Sequence, residues 1–260
     1  MVWPVGEKIR SASTRDYDAL ADLLEQVFST DPLMTALAAP APDPALALRH
    51  LLEVTLRDEY LVSDLRAPHA PTAVDVIADS TGALLGAALW NAPRRSTPPA
   101  DLDGPGLQPA SSRVASSRGP ARRASSGAHA VRTSRTGEGS AAAPAGINRA
   151  VMGGAWDLCL LDERLCEAVR PLEPHWHLYM LAVAPRAQGR GVGSRLLAHG
   201  LARADAAGLP AHLEATTAAS KRLYERHGFR ETAELGPCDP LPRYWALTRP
   251  AQAPASPSPT

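Results

Sequence analysis

The sequence predicts an α/β domain, and three observations lead there. Alternating apolar runs at 72–79, 83–90 and 177–184 have the period of strands, and amphipathic stretches with helical spacing lie between and around them. The last of these strands runs through a glycine-rich turn, Gln188-Gly189-Arg190-Gly191-Val192-Gly193, straight into a helix. About 45% of the 260 residues are hydrophobic, which is enough to build a core.

The elements follow in order. Residues 6–12 are a short first strand. Ser13, with Asp16 three residues on, forms an acid-ended capping box for a helix whose apolar face is Leu20, Leu23, Leu24, Val27 and Phe28. Asp31-Pro32 ends that helix. Asp43-Pro44 starts the next, with a capping acid and proline at the first position, and Leu48, Leu51, Leu52 and Thr55 form its face. Two strands, 72–79 and 83–90, are joined by a turn at Ser80-Thr81-Gly82.

Composition then changes. Residues 92–146 hold no aromatic side chain, and their only large aliphatics are Leu102, Leu107, Val114 and Val131. Such a stretch buries too little apolar surface to offset its ordering entropy, so 93–147 is expected to be a disordered low-complexity insertion. Eight arginines (94, 95, 113, 118, 122, 123, 132 and 135) face only Asp101, Asp103 and Glu138 within it. A helical stripe resumes with Trp156, Leu160, Leu161, Leu165 and Val169, and Pro171 and Pro174 end it. The strand at 177–184 comes next, then a helix at 193–207 closed by Gly208 and Pro210. A short strand at 211–215, a helix capped by Thr216 or Thr217, and strands at 229–235 and 244–248 complete the chain. A single domain is expected over 8–249, interrupted by the insertion and followed by a disordered Pro/Ser-rich tail at 250–260.

Composition also sets limits. Lys plus Arg is 27 and Asp plus Glu is 27, so the chain has no net charge to draw it to nucleic acid or an anionic membrane. Three cysteines without paired spacing give neither a disulfide framework nor a zinc site, and no metal cluster is expected. No apolar run approaches the roughly 20 residues of a membrane span, and the N-terminus has no apolar signal core. A cytoplasmic protein with no nucleic-acid or membrane partner is the expectation, as a monomer or homodimer.

Three glycines and three arginines between a strand and a helix point to a bound phosphate. Backbone N–H groups at a helix N-terminus, left open by glycine, form an anion nest. A P-loop is excluded because GxxxxGK[ST] is absent. The dinucleotide fingerprint GxGxxG is closer, with Glu214 some twenty residues on, but Ser194 stands at its third glycine. Too little chain follows Glu214 to complete a doubly wound sheet.

A strand ending in Val183-Ala184-Pro185, then Gln188-x-x-Gly191-x-Gly193 and an amphipathic helix, resembles the acetyl-coenzyme A motif of the GCN5-related N-acetyltransferase (GNAT) superfamily. The stretch LEATTAASKRLYERHGF from Leu213 to Phe229 resembles the strand and helix of that superfamily that end in Tyr and Gly-Phe. Residues 175–247 are most similar to puromycin N-acetyltransferase-like small acetyltransferases.

The resemblance implies a three-layer α/β/α GNAT fold with a mixed, mostly antiparallel twisted sheet. It implies acetyl-CoA as co-substrate and a small-molecule primary amine, of antibiotic-like kind, as acceptor. The coenzyme would be held by Leu181, Ala182, Val183, Arg186, Gln188, Gly189, Arg190, Gly191, Val192, Gly193, Ser194 and Ser220. Ser220 or Thr217 stands where relatives often carry Asn. The Val183 N–H would face the thioester carbonyl, and Tyr224 would be the acid that protonates the leaving thiolate. The proton acceptor is drawn from Glu214, His175 and His177, with Glu214 foremost. Trp156, Asp157, Asp162 and Glu163 are the polar or aromatic positions on the helix expected to meet the acceptor. A protein or peptide N-acetyltransferase would use the same coenzyme residues, as would a non-catalytic acyl-CoA sensor, although a sensor would have no use for Tyr224.

Overall fold

The computed structural model describes residues 8–61, 72–94 and 146–252. The expectations for 95–145 and 253–260, and for the start of the first strand, lie outside the described residues. Within them the order is β1 (Ile9–Ser11), α1 (Tyr17–Phe28), α2 (Pro32–Ala38), α3 (Pro44–Thr55), β2 (Thr72–Ala78) and β3 (Leu84–Arg94). It continues with α4 (Arg149–Met152), α5 (Ala155–Val169), β4 (His175–Val183), α6 (Val192–Ala207), β5 (Ala211–Ala215), α7 (Ala218–Arg226), β6 (Arg230–Leu235) and β7 (Tyr244–Arg249).

Local chemistry sets the helix starts. The Asp16 carboxylate accepts from the Ser13 N–H at 2.8 Å and from its hydroxyl at 3.1 Å. Asp43 accepts from the Leu46 N–H at 3.1 Å, with Pro44 at the first helical position. Asp31-Pro32 is a correction to the sequence reading. It ends α1, but it also starts α2, because the Asp31 carboxylate accepts from the N–H groups of both Leu33 and Met34. An Asp-Pro pair is as good a helix start as it is a stop.

The seven strands form one sheet in the order β1-β2-β3-β4-β5-β7-β6. Every neighbouring pair is antiparallel except β4 and β5, which run parallel. The sheet is therefore mixed and mostly antiparallel, as the resemblance implied. Helix α6 covers one face, where Gly200 lies against the Trp90 indole. Trp90 pairs with Leu178, so the neighbouring His177 points to the opposite face. That opposite face is covered by α5, whose Asp162 bonds Tyr244. Three layers result, α/β/α.

Most of the core is one cluster. It joins Leu20, Leu24, Leu52 and Leu56 of the N-terminal helical region to Val76, Ile77, Leu85 and Leu89 of β2 and β3, and to Leu196, Leu197 and Leu201 of α6. A second cluster ties α2 and α5 to β6 and β7 through Leu33, Leu37, Leu158, Leu235 and Tyr244. Ion pairs clamp α6 to the sheet. Arg203 makes a bidentate pair with buried Asp75 of β2, at 2.5 and 3.1 Å, and its guanidinium lies 5.5 Å from the Trp176 ring centre. Arg249 of β7 makes a second bidentate pair with Asp205, at 2.6 and 3.1 Å. A planar fork that meets a carboxylate with two hydrogen bonds fixes direction as well as distance.

Gly200 interrupts the middle of α6, where helix propensity disfavours it by about 1 kcal/mol against alanine. Packing gives the reason, since a Cβ there would fall inside the van der Waals radius of the Trp90 ring. Overpacking a core typically costs about 1–3 kcal/mol, which exceeds the propensity gain. Gly200→Ala should therefore lower the stability measured by urea unfolding, although it improves the helix. Trimming Trp90 to Leu in the same chain should recover part of the loss that Gly200→Ala causes, because the ring that the new methyl meets is gone.

Candidate functional site

Strands β4 and β5 pair over only three residues: Trp176 with Ala211, His177 with His212, and Leu178 with Leu213. Beyond Leu178 the strand β4 keeps β3 as its partner and parts from β5. A bulge sits at the parting point. Met180 pairs with Leu89 and Leu178 with Trp90, so Tyr179 has no partner on β3. The extra residue reverses the facing of the strand residues beyond it. Leu181 and Val183 thus lie toward α6, where the side chains of both approach Gly193.

The backbone turns as well. The Ala184 N–H donates to Leu85 O at 2.9 Å, toward β3. Alternation along a strand then aims the N–H groups of Val183 and Leu181 the other way, into the gap between β4 and β5. Gln188 folds back so that its amide donates to Val183 O at 3.1 Å, tying the glycine turn to the end of the strand.

The turn itself is open to solvent from Gln188 to Gly191. Gly189 has φ 72° and Gly191 φ 81°, both left-handed, and Gly191 is the N-cap of α6. Glycine reaches that region without the Cβ clash. Left-handed residues at alternate positions beside a helix start gather successive N–H groups into a concave donor set. The first-turn N–H groups at Val192, Gly193 and Ser194 have no partner within their own helix. This arrangement fits a pyrophosphate.

Helix α7 forms the other wall of the gap. Tyr224 is buried, at 7% exposure, with its ring 6.0 Å from that of Phe229. Burial, and after it the Asp31 carboxylate, push its phenol above the ordinary range, so it holds its proton at neutral pH. Asp31 couples this wall to α2. While one of its oxygens caps α2, the other accepts a hydrogen bond from the Thr216 hydroxyl at the start of the β5–α7 connection.

On the α5 face, Glu214 is the centre of a buried network. His177 Nε2 donates to it at 2.7 Å and His212 Nε2 at 3.2 Å, and an Arg170 nitrogen lies 3.8 Å away. These bonds assign the tautomers. His177 Nδ1 then accepts from the Asn91 amide at 3.4 Å, and His212 Nδ1 accepts from the Thr248 hydroxyl at 2.9 Å. Asn91 Oδ1 accepts in turn from the Tyr60 hydroxyl at 2.6 Å. Burial alone would raise the Glu214 carboxyl. The His177 and His212 N–H groups outweigh it and hold the carboxyl well below the usual range. Burial lowers His177, and it lowers His175 to about 4, so both imidazoles are neutral at neutral pH.

The structure brings Leu181, Ala182, Val183, Gln188, Gly189, Arg190, Gly191, Val192, Gly193 and Ser194 to one side of the gap, with Tyr224 across it. Two expected coenzyme contacts go elsewhere. The Arg186 guanidinium is directed to the β2–β3 turn, 3.2 Å from Asp79 and 3.1 Å from Leu84 O. Ser220 is committed to the cap of α7. Its hydroxyl donates to Thr217 O and accepts from the Thr217 N–H, while its own N–H donates to Thr217 Oγ1. A side chain that short reaches its own helix start and is satisfied there. Sequence reasoning missed Asp31 and Tyr60. The Asp-Pro pair carried a signal for the first, and Tyr60 meets Asn91 only through the fold.

Residues 151–231 match the acetyltransferase (GNAT) domain. Three solved structures share the fold. One is a Corynebacterium glutamicum protein described as histone acetyltransferase HPA2 and related acetyltransferase, at 23% identity and TM-score 0.57, covering 97% of this chain and 100% of that one. Another is arylalkylamine N-acetyltransferase 2 from Aedes aegypti, at 16% identity and TM-score 0.54, covering 95% and 99%. The third is the Drosophila melanogaster polyamine N-acetyltransferase, at 16% identity and TM-score 0.52, covering 93% and 98%. Residues 151–231 thus match a GNAT acetyltransferase domain, and the chain shares the fold of these acetyltransferase structures.

Proposed function

We propose that this protein moves the acetyl group of acetyl-CoA to a primary amine of a small molecule by direct attack on the thioester. The parting of β4 from β5 carries the reading. It leaves main-chain N–H donors aimed into a gap that has a phosphate-type nest at one end and a buried phenol on its far wall. The pyrophosphate lies against the N–H groups from Gly189 to Ser194. The Val183 N–H then stands where the thioester oxygen gathers charge.

The amine nitrogen bonds to the carbonyl carbon, and the C–S bond breaks. The Tyr224 phenol gives its proton to the departing thiolate and is reprotonated by the new amide nitrogen as that nitrogen loses a hydrogen. Glu214 acts as an anchor that stays ionised and holds His177 and His212 beside the parting point, since its oxygens are already engaged. Relatives of the same fold named for arylalkylamines and polyamines support a small amine as acceptor. A thiol-release assay with acetyl-CoA against small amines and against peptides tests the reading. Turnover confined to peptides would replace a small-molecule acceptor with a protein one.

Two substitutions examine the machinery. Gly191→Val should weaken acetyl-CoA binding. Left-handed backbone strains a β-branched residue by about 1–3 kcal/mol. A free turn that relaxes out of that region must regain the strain to bind, a loss of up to roughly 5- to 150-fold in affinity. Gly191→Asn, which tolerates that region, should lose much less. Calorimetry on folded protein decides, and equal affinities in all three chains would move the phosphate elsewhere. Tyr224→Phe removes one proton donor and almost no volume. Acetyl-CoA affinity should persist while kcat falls on the order of 10²-fold, and the deficit should shrink with an acyl donor whose thiol leaves more readily. Unchanged kcat with a lowered melting temperature would make Tyr224 a core residue only.

A further inference from the structure

Glu214 leaves a question open, because a carboxylate with two imidazole N–H donors is a poor sink for another proton. A different carboxylate faces the same space. Asp162 lies on the sheet-facing side of α5, and its Oδ1 accepts from the Tyr244 hydroxyl at 2.7 Å. Tyr244 stands just past the end of β5. The register pairs Glu214 with Ala246 and Ala215 with Trp245, so Tyr244 shares the face of Glu214 at the mouth of the gap. The other oxygen of Asp162 has no hydrogen-bond partner among the described residues. Asp162 also bears on the phenol of Tyr179, the bulge residue, which is 37% exposed and stacks on Tyr60 at 5.8 Å. A part-exposed Tyr179 ring, backed by the buried Tyr60, next to a half-satisfied, partly buried carboxylate is a fitting approach for an ammonium group.

We propose that Asp162 receives the acceptor as its ammonium ion and takes the proton that frees the attacking nitrogen, which makes it a catalytic residue of the reaction proposed above and rests on that reading. The ammonium gives one proton to Asp162 Oδ2 and becomes a neutral amine with its lone pair available. After transfer, the carboxylic acid returns that proton to solvent. The net change is ammonium plus thioester to amide, thiol and one released proton.

Electrostatics agree with the geometry. Burial raises the Asp162 carboxyl to about 6, Glu214 of β5 and Glu163 of α5 act in the same direction, and the Tyr244 hydroxyl and Arg170 oppose them. Cys159 and Cys166 on the same helix are pushed up by burial and stay as neutral thiols. Tyr244 is likewise raised and keeps its proton toward Asp162. A base poised near neutrality suits the task better than one held fully ionised.

The test is the pH dependence of kcat/KM with acetyl-CoA and three amine probes, phenethylamine, agmatine and spermidine, for wild type, Asp162→Asn and Asp162→Glu. Wild type should rise through an acidic limb near pH 6. It should then stay level up to the amine's own pKa, about 10 for an alkyl ammonium. Asp162→Asn keeps an oxygen for Tyr244, so acetyl-CoA affinity should hold. Its kcat/KM should fall on the order of 10²- to 10³-fold, and the limb near 6 should vanish, leaving a rate that climbs with the fraction of free amine. Asp162→Glu should retain the acidic limb at reduced rate, which keeps the test decisive if the Asn variant folds poorly. An acidic limb that persists in Asp162→Asn overturns the inference and leaves amine acetylation standing. Failure of wild type to acetylate any amine overturns the underlying reading, and the inference with it.

Discussion

The site depends on one constraint, that β4 can satisfy β5 for only three residues. Parallel pairing ends at Leu178 and Leu213, and the bulge at Tyr179 turns the next stretch of β4 away. In the interior of a sheet, a parting strand would leave N–H groups unsatisfied and costly. Here the β3 side keeps its bonds, and the free side faces a gap walled by α6 and α7. The strand is half satisfied by design, and its spare donors are what a ligand with oxygen acceptors would meet. The glycine turn works in the same way, since α6 necessarily begins with N–H groups that lack helical partners. Both parts of the site come from the unavoidable leftovers of regular structure, brought to one place by topology.

The network around Glu214 keeps the parting point in position. A buried carboxylate alone would be driven to protonate. Two imidazole N–H donors and a nearby Arg170 make the ionised form favourable instead, and each imidazole has its second nitrogen engaged. The network crosses β3, β4, β5 and β7, so it pins four strands at the level where two of them diverge. Partial satisfaction would be worse than an apolar core. The full pairing of the His177 and His212 nitrogens therefore favours a fixed geometry.

The sequence made the donor side readable because that side is local. The left-handed positions, the helix start and the Tyr224 helix each lie within one short segment, so spacing alone reveals them. The element order was readable for the same reason, down to the limits of β5. Asp31 shows where local reading falls short. An Asp-Pro pair carries two meanings, and only the packing of α2 against α5 and β7 shows that both apply. Ser220 misleads because a polar residue near the expected position reads as a ligand contact, whereas its nearest unpaired partners are those of its own helix end. The Glu214 network and the bulge at Tyr179 have no local signature. They exist only once β3, β4, β5 and β7 lie side by side.

Three titratable groups around the gap show how environment divides roles among them. Tyr224 sits in an apolar wall beside Asp31, and both influences favour the protonated phenol. Glu214 is surrounded by donors, which favour the charged form. Asp162 has burial and two neighbouring carboxylates against one hydroxyl donor and Arg170, which brings it near balance. An acetyl transfer needs a group that keeps a proton until a thiolate forms and another that readily changes state. Those requirements call for opposite surroundings, and a single polar pocket would average them. Setting the phenol on α7 and Asp162 on α5, on opposite sides of the sheet's parting strands, separates the two environments. On the proposed reading, the gap between β4 and β5 is the one place where both reach the same reacting atoms.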